Sequence, residues 1–211
     1  MSKTPIKKAT KLDMDDRAKM LHYFHKTNDE TNVTIEELFT SSWQLPHLGP
    51  RVPSIITVSA PAGIGKSSML KYMCLKWGLR DLWLENFDVL IFIECRTLNH
   101  LGPMTGREFV VKHMESVAEK MEPGTDLMEE VRHKAAVGRL LFLLDGLDEI
   151  TGVASLVNLP AKYSQADELS PLELTQAILC GRLLPGSHVI VTSRQDTEDG
   201  KCATKQTSLE S

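Results

Sequence analysis

The stretch SAPAGIGKSS, at residues 59–68, decides the fold. It follows an apolar run at 55–58 and leads directly into residues 69–77, whose apolar positions recur at helical spacing. A strand, a loop of small residues and a helix in this order are typical of a phosphate-binding loop. The reason is that loop N–H groups and a helix N-terminus attract an anion. The strict GxxxxGK[ST] pattern fails at one point, because Ala60 stands at the first glycine position.

The residue types of this loop suit phosphate binding. Gly63 and Gly65 let the backbone turn, Lys66 reaches the terminal phosphates, and the Ser67 hydroxyl takes one coordination site of Mg²⁺. The predicted nucleotide-contacting stretch is Ala60, Pro61, Ala62, Gly63, Ile64, Gly65, Lys66, Ser67 and Ser68. The alternative is an ordinary strand-to-helix turn with an accidental lysine, and the flanking strand and helix favour the phosphate loop. The cost of alanine at position 60 depends on the sign of φ there, which the sequence leaves open.

Three further apolar runs predict the other strands of one sheet. They lie at 89–93, 140–144 and 189–191, each bounded by charged or turn residues. Continuous apolar runs are typical of strands that are buried on both faces, as in a parallel sheet. Capping boxes at 105–108 and 170–173 start helices between these strands. The alternation predicts a three-layer α/β P-loop NTPase fold, with a mostly parallel sheet and helices on both faces.

The third strand ends in an acidic segment, DGLDE at residues 145–149. Ligands of open parallel sheets bind beyond the carboxyl ends of the strands, so Asp145 is placed to bind Mg²⁺ opposite Ser67. Asp148 or Glu149 is a candidate to orient or deprotonate the water that attacks the γ-phosphate. The alternative is a solvated acidic loop, which is common after a core strand.

The fourth strand ends in Thr192, Ser193 and Arg194, which are expected at the same edge of the sheet. These residues are candidates to contact the γ-phosphate, since a guanidinium binds phosphate oxygens in a bidentate manner. A strand that simply runs out into solvent fits the local sequence equally well. His113 and His188 are predicted to be packing residues rather than ligands.

The composition excludes several classes of protein. The chain has 211 residues, 42% apolar and 25% charged, which can fill one core and excludes wholesale disorder. A net charge of −4 disfavours nucleic acid as a partner. No apolar run approaches the ~18 residues of a membrane span, and the charged first residues lack the apolar stretch of a signal peptide. The four cysteines show no metal-ligand spacing. A cytoplasmic protein with no membrane partner is therefore expected.

The two ends of the chain differ from the middle. Residues 1–30 contain a lysine-rich arm and apolar positions at helical spacing, which predict an amphipathic helix. Residues 31–194 hold a capping box at 34–37 that starts a short helix, a proline-rich connector at 41–53, and the nucleotide-binding sheet. Residues 195–211 contain one leucine and no other large apolar side chain, which predicts a disordered polar tail.

Three segments in this order, AGIGKSS, LLFLLDGLDE and GSHVIVTSR, resemble the NACHT domain of NOD-like receptors. These are P-loop NTPases of the signal-transduction (STAND) class. The glycine after the first aspartate of DGLDE is the most specific mark, because most P-loop families lack it. The TIEELF and FDVLIFIECRTLN segments are also similar to this family. The resemblance implies an ATP/ADP-binding module of an innate-immune or signalling protein. In such proteins ADP holds a closed state and ATP permits homo- or hetero-oligomers with other NACHT proteins.

Residue roles follow from this resemblance by position. It implies that the loop from Gly63 to Ser68 binds phosphates, Asp145 binds Mg²⁺, Asp148 and Glu149 support hydrolysis, and Arg194 occupies the first sensor position. Gln195 departs from the family, which usually has proline there. The chain also shows no effector domain and no leucine-rich repeats, so a truncated member with slow Mg²⁺-dependent hydrolysis at most is expected.

The sequence allows two other functions besides an ATP-binding module. One is a non-enzymatic regulator that pairs with full-length NACHT proteins and limits their oligomerisation, which the missing regions favour. The other is a P-loop kinase of nucleotides or metabolites. It is disfavoured because such enzymes need an arginine-bearing lid, and the basic residues of segment 161–182 do not cluster.

Overall fold

A computed structural model of the chain describes residues 35–39, 44–45, 49–50, 55–115, 126–153 and 167–194. The predicted arm and amphipathic helix of residues 1–30 and the predicted tail at 195–211 lie outside these ranges. The strands in the described part are β1 (Gln44–Leu45), β2 (Gly49–Pro50), β3 (Ile55–Ala60), β4 (Val89–Glu94), β5 (Leu140–Asp145) and β6 (His188–Arg194). The α-helices there are α1 (Lys66–Gly78), α2 (Gly106–Lys112), α3 (Leu127–Ala136) and α4 (Pro171–Leu179).

The four apolar runs form one parallel sheet with the strand order β3-β6-β5-β4. All four carboxyl ends therefore lie at one edge of this sheet, where Ala60 pairs with Arg194 and Glu94 pairs with Asp145. The region predicted to be a plain connector contains a short antiparallel pair, β1 with β2. The predicted α/β fold with a parallel sheet is confirmed.

The sheet buries a separate apolar cluster on each of its faces. Residues Leu141 and Leu143 of β5 pack on one face with Leu70 and Met73 of α1. On the other face the alternate β5 residues pack with α2, α3 and α4, among them Phe142, Leu144, Phe109, Met128 and Ile178. Burial of one such side chain contributes roughly 1.5–3 kcal/mol. The helices thus cover both faces, as the continuous apolar runs predict.

Side chains at the helix starts explain where the helices begin. Thr105 and Ser170 form the two predicted capping boxes, each with a glutamate three residues later. Helix α2 ends at Lys112, although the apolar pattern extends further. Helix α3 was not predicted; the Asp126 side chain caps it by accepting a hydrogen bond from Met128 N at 2.9 Å. Among the described residues, no helix combines the length and apolar character needed to cross a membrane.

An aromatic cluster lies at the amino ends of the strands, opposite the loop edge. The predicted short helix at 36–39 is a 3-10 turn (Glu36–Phe39). Its Phe39 ring contacts Trp83, Phe87 and His188 at centroid distances of 5.0, 4.7 and 5.7 Å. Trp83 Nε1 donates a hydrogen bond to Ile35 O at 3.1 Å. His188 is thus a packing residue, as predicted.

The Asp88 carboxylate links strand β4 to the residues before β5. It accepts hydrogen bonds from Arg139 and lies 3.2 Å from Lys134 Nζ. The hydrogen bond from Arg139, with Lys134 beside it, lowers the pKa of Asp88 to about 2. Because the pKa is lower in the folded state, the stabilisation is present above pH ~4 and is lost as the pH falls towards 2.

Replacing Asp88 with asparagine is therefore expected to lower the free energy of unfolding at pH 6 by up to about 1 kcal/mol, since the pair is partly exposed. At pH 2.5 the wild type has lost most of this term, so the two proteins should differ less. Urea denaturation at both pH values measures the difference. An equal loss at both values would contradict the ion pair as its cause.

Candidate phosphate and metal site

The loop between β3 and α1 has the backbone conformation that its glycines predict. Gly63 has a φ of 77° and Gly65 a φ of 98°, and Gly65 is the N-cap of α1. A Cβ at either position would meet nothing within 4 Å, so the need for glycine is conformational rather than steric. Ala60 is the last residue of β3 and does not have a positive φ. Alanine at the first glycine position of the pattern is therefore unstrained.

Lys66 lies against the loop that precedes it. Its Nζ donates hydrogen bonds to the carbonyl oxygens of Ala60 at 2.7 Å and Pro61 at 2.9 Å. Residues 61–65 are exposed, so the loop is accessible to a ligand from solvent. A positive charge, a helix N-terminus and a turned loop thus occur together, which is the combination that binds phosphate.

Ser67 and Asp145, the predicted metal ligands, are in direct contact. Ser67 Oγ donates a hydrogen bond to Asp145 Oδ1 at 3.0 Å. In the ranges that the structure describes, no group of three or more His, Cys, Asp or Glu side chains could hold a metal alone. Mg²⁺ is commonly held by one or two carboxylates together with substrate phosphates. One hydroxyl and one carboxylate beside a phosphate loop therefore fit Mg²⁺.

Thr192 of β6 binds Asp145 at the end of the neighbouring strand β5. It is fully buried, and its Oγ1 donates to Asp145 Oδ1 at 2.9 Å and accepts from Gly146 N at 2.8 Å. The sequence made Thr192 a candidate for contact with the γ-phosphate. Its hydroxyl is instead engaged with the acidic segment, where it fixes the orientation of Asp145.

Arg194 contacts both predicted catalytic acids. Its backbone N donates to Asp148 Oδ1 at 2.9 Å, and its Nε lies 3.1 Å from Asp148 Oδ2. Its Nη2 lies 3.6 Å from Glu149 Oε1. Both acids belong to a 3-10 turn (Leu147–Glu149), and Gly146, which caps the start of this turn, has a φ of 75°. The positive φ favours glycine after Asp145, and a Cβ there would also lie 3.2 Å from the Glu149 side chain.

The model of the NACHT domain family matches residues 54–210, which is most of the chain. The chain belongs to the NACHT domain family. Similar proteins include NACHT, LRR and PYD domains-containing protein 1a of Mus musculus, 27% identical over 77% of this chain and 13% of that protein. NACHT, LRR and PYD domains-containing protein 6 of Rattus norvegicus is 28% identical over 71% of this chain and 16% of that protein. NACHT, LRR and PYD domains-containing protein 2 of Homo sapiens is 28% identical over 71% of this chain and 14% of that protein. The chain thus spans 13% to 16% of these relatives.

Two polar residues of this NACHT domain lie at the site although the sequence patterns did not single them out. Glu94, the last residue of β4, forms an ion pair with Lys71 of α1 at 2.8 Å, which lowers the pKa of Glu94. Asn99 contacts the acidic segment at Glu149 O through its amide nitrogen, and Thr151 N through its amide oxygen. Their positions in the sequence could have indicated them, because Glu94 ends β4 and Asn99 lies in the turn after it, at the carboxyl edge of the sheet.

Cys95 lies next to the acidic segment of the NACHT domain and is inert in the described structure. It is fully buried. Burial above all, and with it the nearby carboxylates of Asp145, Glu149 and Asp148, raises the pKa of its thiol to about 12. A thiol with such a pKa stays protonated, so neither metal binding nor nucleophilic chemistry is expected of it. Cys95 is thus a small residue of the core.

Proposed function

We propose that this NACHT domain binds ADP and ATP together with Mg²⁺. The observation that carries the proposal is the 3.0 Å hydrogen bond between Ser67 Oγ and Asp145 Oδ1, immediately after a loop with two left-handed glycines. These two residues are 78 positions apart in the chain. The fold brings them together at the one edge where a phosphate held by the loop would lie.

Different residues of the chain bind the phosphates and the metal ion. The N–H groups of residues 62–65 and the start of α1 bind the phosphates, and Lys66 places its positive charge on them. Pro61 has no N–H to donate. Ser67 and Asp145 would hold Mg²⁺, which when bound neutralises negative charge on the phosphate oxygens. Thr192 keeps Asp145 in the orientation that this requires, since it donates to the same oxygen as Ser67.

We further propose slow ATP hydrolysis, supported by Asp148 and Glu149. One of these carboxylates orients the attacking water or accepts its proton. The Arg194 guanidinium pairs with both acids, and the Arg194 backbone is the register partner of Ala60, the residue that precedes the loop. Its side chain is 60% exposed, and such an open site stabilises transferred charge poorly because water screens it.

The wider role is proposed from the relatives. Their names place NACHT domains in proteins that also contain LRR and PYD domains. By likeness, this domain acts as a nucleotide-dependent module of an innate-immune signalling protein. Association with other NACHT proteins and a cytoplasmic location stay predictions.

Replacing Asp145 with asparagine tests the metal part of the proposal. In the wild type, Mg²⁺ is expected to tighten ADP binding about tenfold, because interactions with charged groups contribute about 1.5 kcal/mol. In Asp145→Asn that gain should disappear while metal-free ADP binding persists. Calorimetry with and without Mg²⁺ measures both quantities.

Asp81→Asn is the matched control, since Asp81 is an exposed aspartate paired with Lys76 near the end of α1. It should keep the full effect of Mg²⁺. An equal effect of Mg²⁺ in Asp145→Asn would refute the metal assignment. A wild type that binds no ADP would refute the nucleotide site itself.

A further inference from the structure

The segment after β4 lies beside the acidic segment after β5. Glu94 pairs with Asp145 in the sheet, and the chain then enters a 3-10 turn (Cys95–His100). Cys95 and Leu98 anchor this turn, because both are buried in the same apolar cluster as Leu147 and Ile150. The turn is therefore fixed in place next to residues 147–150.

Asn99 in this turn binds the end of the acidic segment and the residues just after it with both polar atoms of its amide group. Its Nδ2 donates to Glu149 O at 2.8 Å, and its Oδ1 accepts from Thr151 N at 2.8 Å. The two bonds flank Ile150 and imitate the pairing of a neighbouring strand. A planar amide with one donor and one acceptor suits this arrangement, and a carboxylate does not, because it cannot donate to a carbonyl.

The acidic segment is thus held from two sides. On the β6 side, Arg194 binds Asp148 and contacts Glu149 through their carboxylates. On the β4 side, Asn99 binds the backbone of Glu149 and leaves its carboxylate untouched. Asn99 therefore determines where the Glu149 backbone lies without entering the phosphate loop or the Ser67–Asp145 pair.

We propose that Asn99 is a positioning residue that holds Glu149 in the geometry needed for ATP hydrolysis. The inference rests on the hydrolysis proposed above. It acts on turnover rather than on nucleotide binding, because the contacts of Asn99 are with residues 149 and 151 and not with the loop. It predicts that Asn99 acts on turnover through Glu149 rather than through Asp148, because its contact is with the Glu149 backbone.

Asn99→Ala is the first test, measured as ATP turnover at saturating Mg-ATP and as Kd for Mg-ADP. Turnover should fall between about 10- and 100-fold, because displacement of a positioned base costs that much. The Kd for Mg-ADP should stay within about twofold, well under 1 kcal/mol. Asn99→Asp, which keeps the acceptor for Thr151 N but loses the donor, should not restore turnover. Asn86→Ala, at the opposite edge, should leave turnover and affinity unchanged.

A double-mutant comparison separates positioning from a general structural role. In a Glu149→Gln background, Asn99→Ala should cause no further loss of turnover, because the residue through which it acts is already disabled. In an Asp148→Asn background it should still cause its full loss. A full further loss in the Glu149→Gln background would overturn the inference.

Amide hydrogen exchange gives a readout that does not depend on turnover. Asn99→Ala should accelerate exchange at Thr151, whose N–H binds Asn99, and not at Glu149, whose N–H binds Gly146 O. Unchanged exchange at Thr151 would overturn the inference. A wild type that binds ADP but never turns over ATP would overturn both the hydrolysis proposal and this one. Normal wild-type turnover with unaffected Asn99 variants would overturn this one alone.

Discussion

Replacing Lys66 with alanine is expected to weaken Mg-ADP binding about 30- to 160-fold, because hydrogen bonds to charged groups contribute about 2–3 kcal/mol at the upper end of their range. The structure gives the reason for a large effect. The ammonium group already lies against the loop, held by Ala60 O and Pro61 O, so little side-chain entropy is lost when phosphate binds. Calorimetry with Mg-ADP and Mg-ATP measures the change.

Lys71→Ala is the matched control for this experiment. Lys71 lies on the same helix, but its ammonium binds Glu94 and not the loop. The control removes the same charge and should change the Kd less than threefold, under about 0.7 kcal/mol. The phosphate-loop assignment is wrong if Lys66→Ala and Lys71→Ala have the same affinity as the wild type.

Replacing Thr192 with valine is expected to reduce the free energy of unfolding by about 1–3 kcal/mol, because it leaves the buried Gly146 N–H without its acceptor. Valine has nearly the same shape, so the loss reports the hydroxyl and not a cavity. For a chain of this size, each kcal/mol lowers the Tm by roughly 2–4 °C. The Mg²⁺-dependent gain in ADP affinity should shrink as well, since Asp145 loses the donor that orients it.

Thr57→Val in β3 provides the comparison for this substitution. Thr57 is a half-buried residue of the neighbouring parallel strand, where valine is equally suited to the pleated sheet. Its effect on unfolding should stay within about 0.5 kcal/mol. Chemical denaturation monitored by circular dichroism gives both values. Equal stability of Thr192→Val and the wild type would contradict the role of the hydroxyl.

The fold was predictable where a local pattern determines it. The four strands are apolar runs because β5 and β6 are buried on both faces, while the edge strands β3 and β4 are buried on one face and half-buried on the other. This feature is visible in the sequence alone. Helix α3 was predictable too, because its apolar positions, Leu127, Met128, Val131 and Ala135, recur at helical spacing between charged residues. The position of β6 between β3 and β5 depends on packing between distant segments. No local pattern states such an order.

The residues of the site were also predictable where a local pattern marks them, and their contacts with distant residues were not. Lys66, Ser67 and Asp145 follow strand ends at recognisable spacing, and the structure places Ser67 and Asp145 in contact. The contacts of Thr192 and Asn99 were not predictable, because each depends on which side chain lies opposite in space. The pairing of Arg194 with Asp148 is of this kind too, since 46 residues separate them.

The aromatic cluster at the amino ends of the strands has a consequence for spectroscopy. Two of the three tryptophans lie at this end: Trp77 Nε1 donates to Phe87 O at 3.2 Å, and Trp83 Nε1 donates to Ile35 O. Trp77 follows Lys66 by eleven helical residues, which is roughly 16 Å along α1. The emission of Trp83 is therefore expected to report the packing of residues 35–39 against the sheet, and that of Trp77 the packing of Phe87 on α1, both at the end opposite the loop. These two indoles thus supply an optical signal for unfolding that is separate from a signal obtained with a labelled nucleotide.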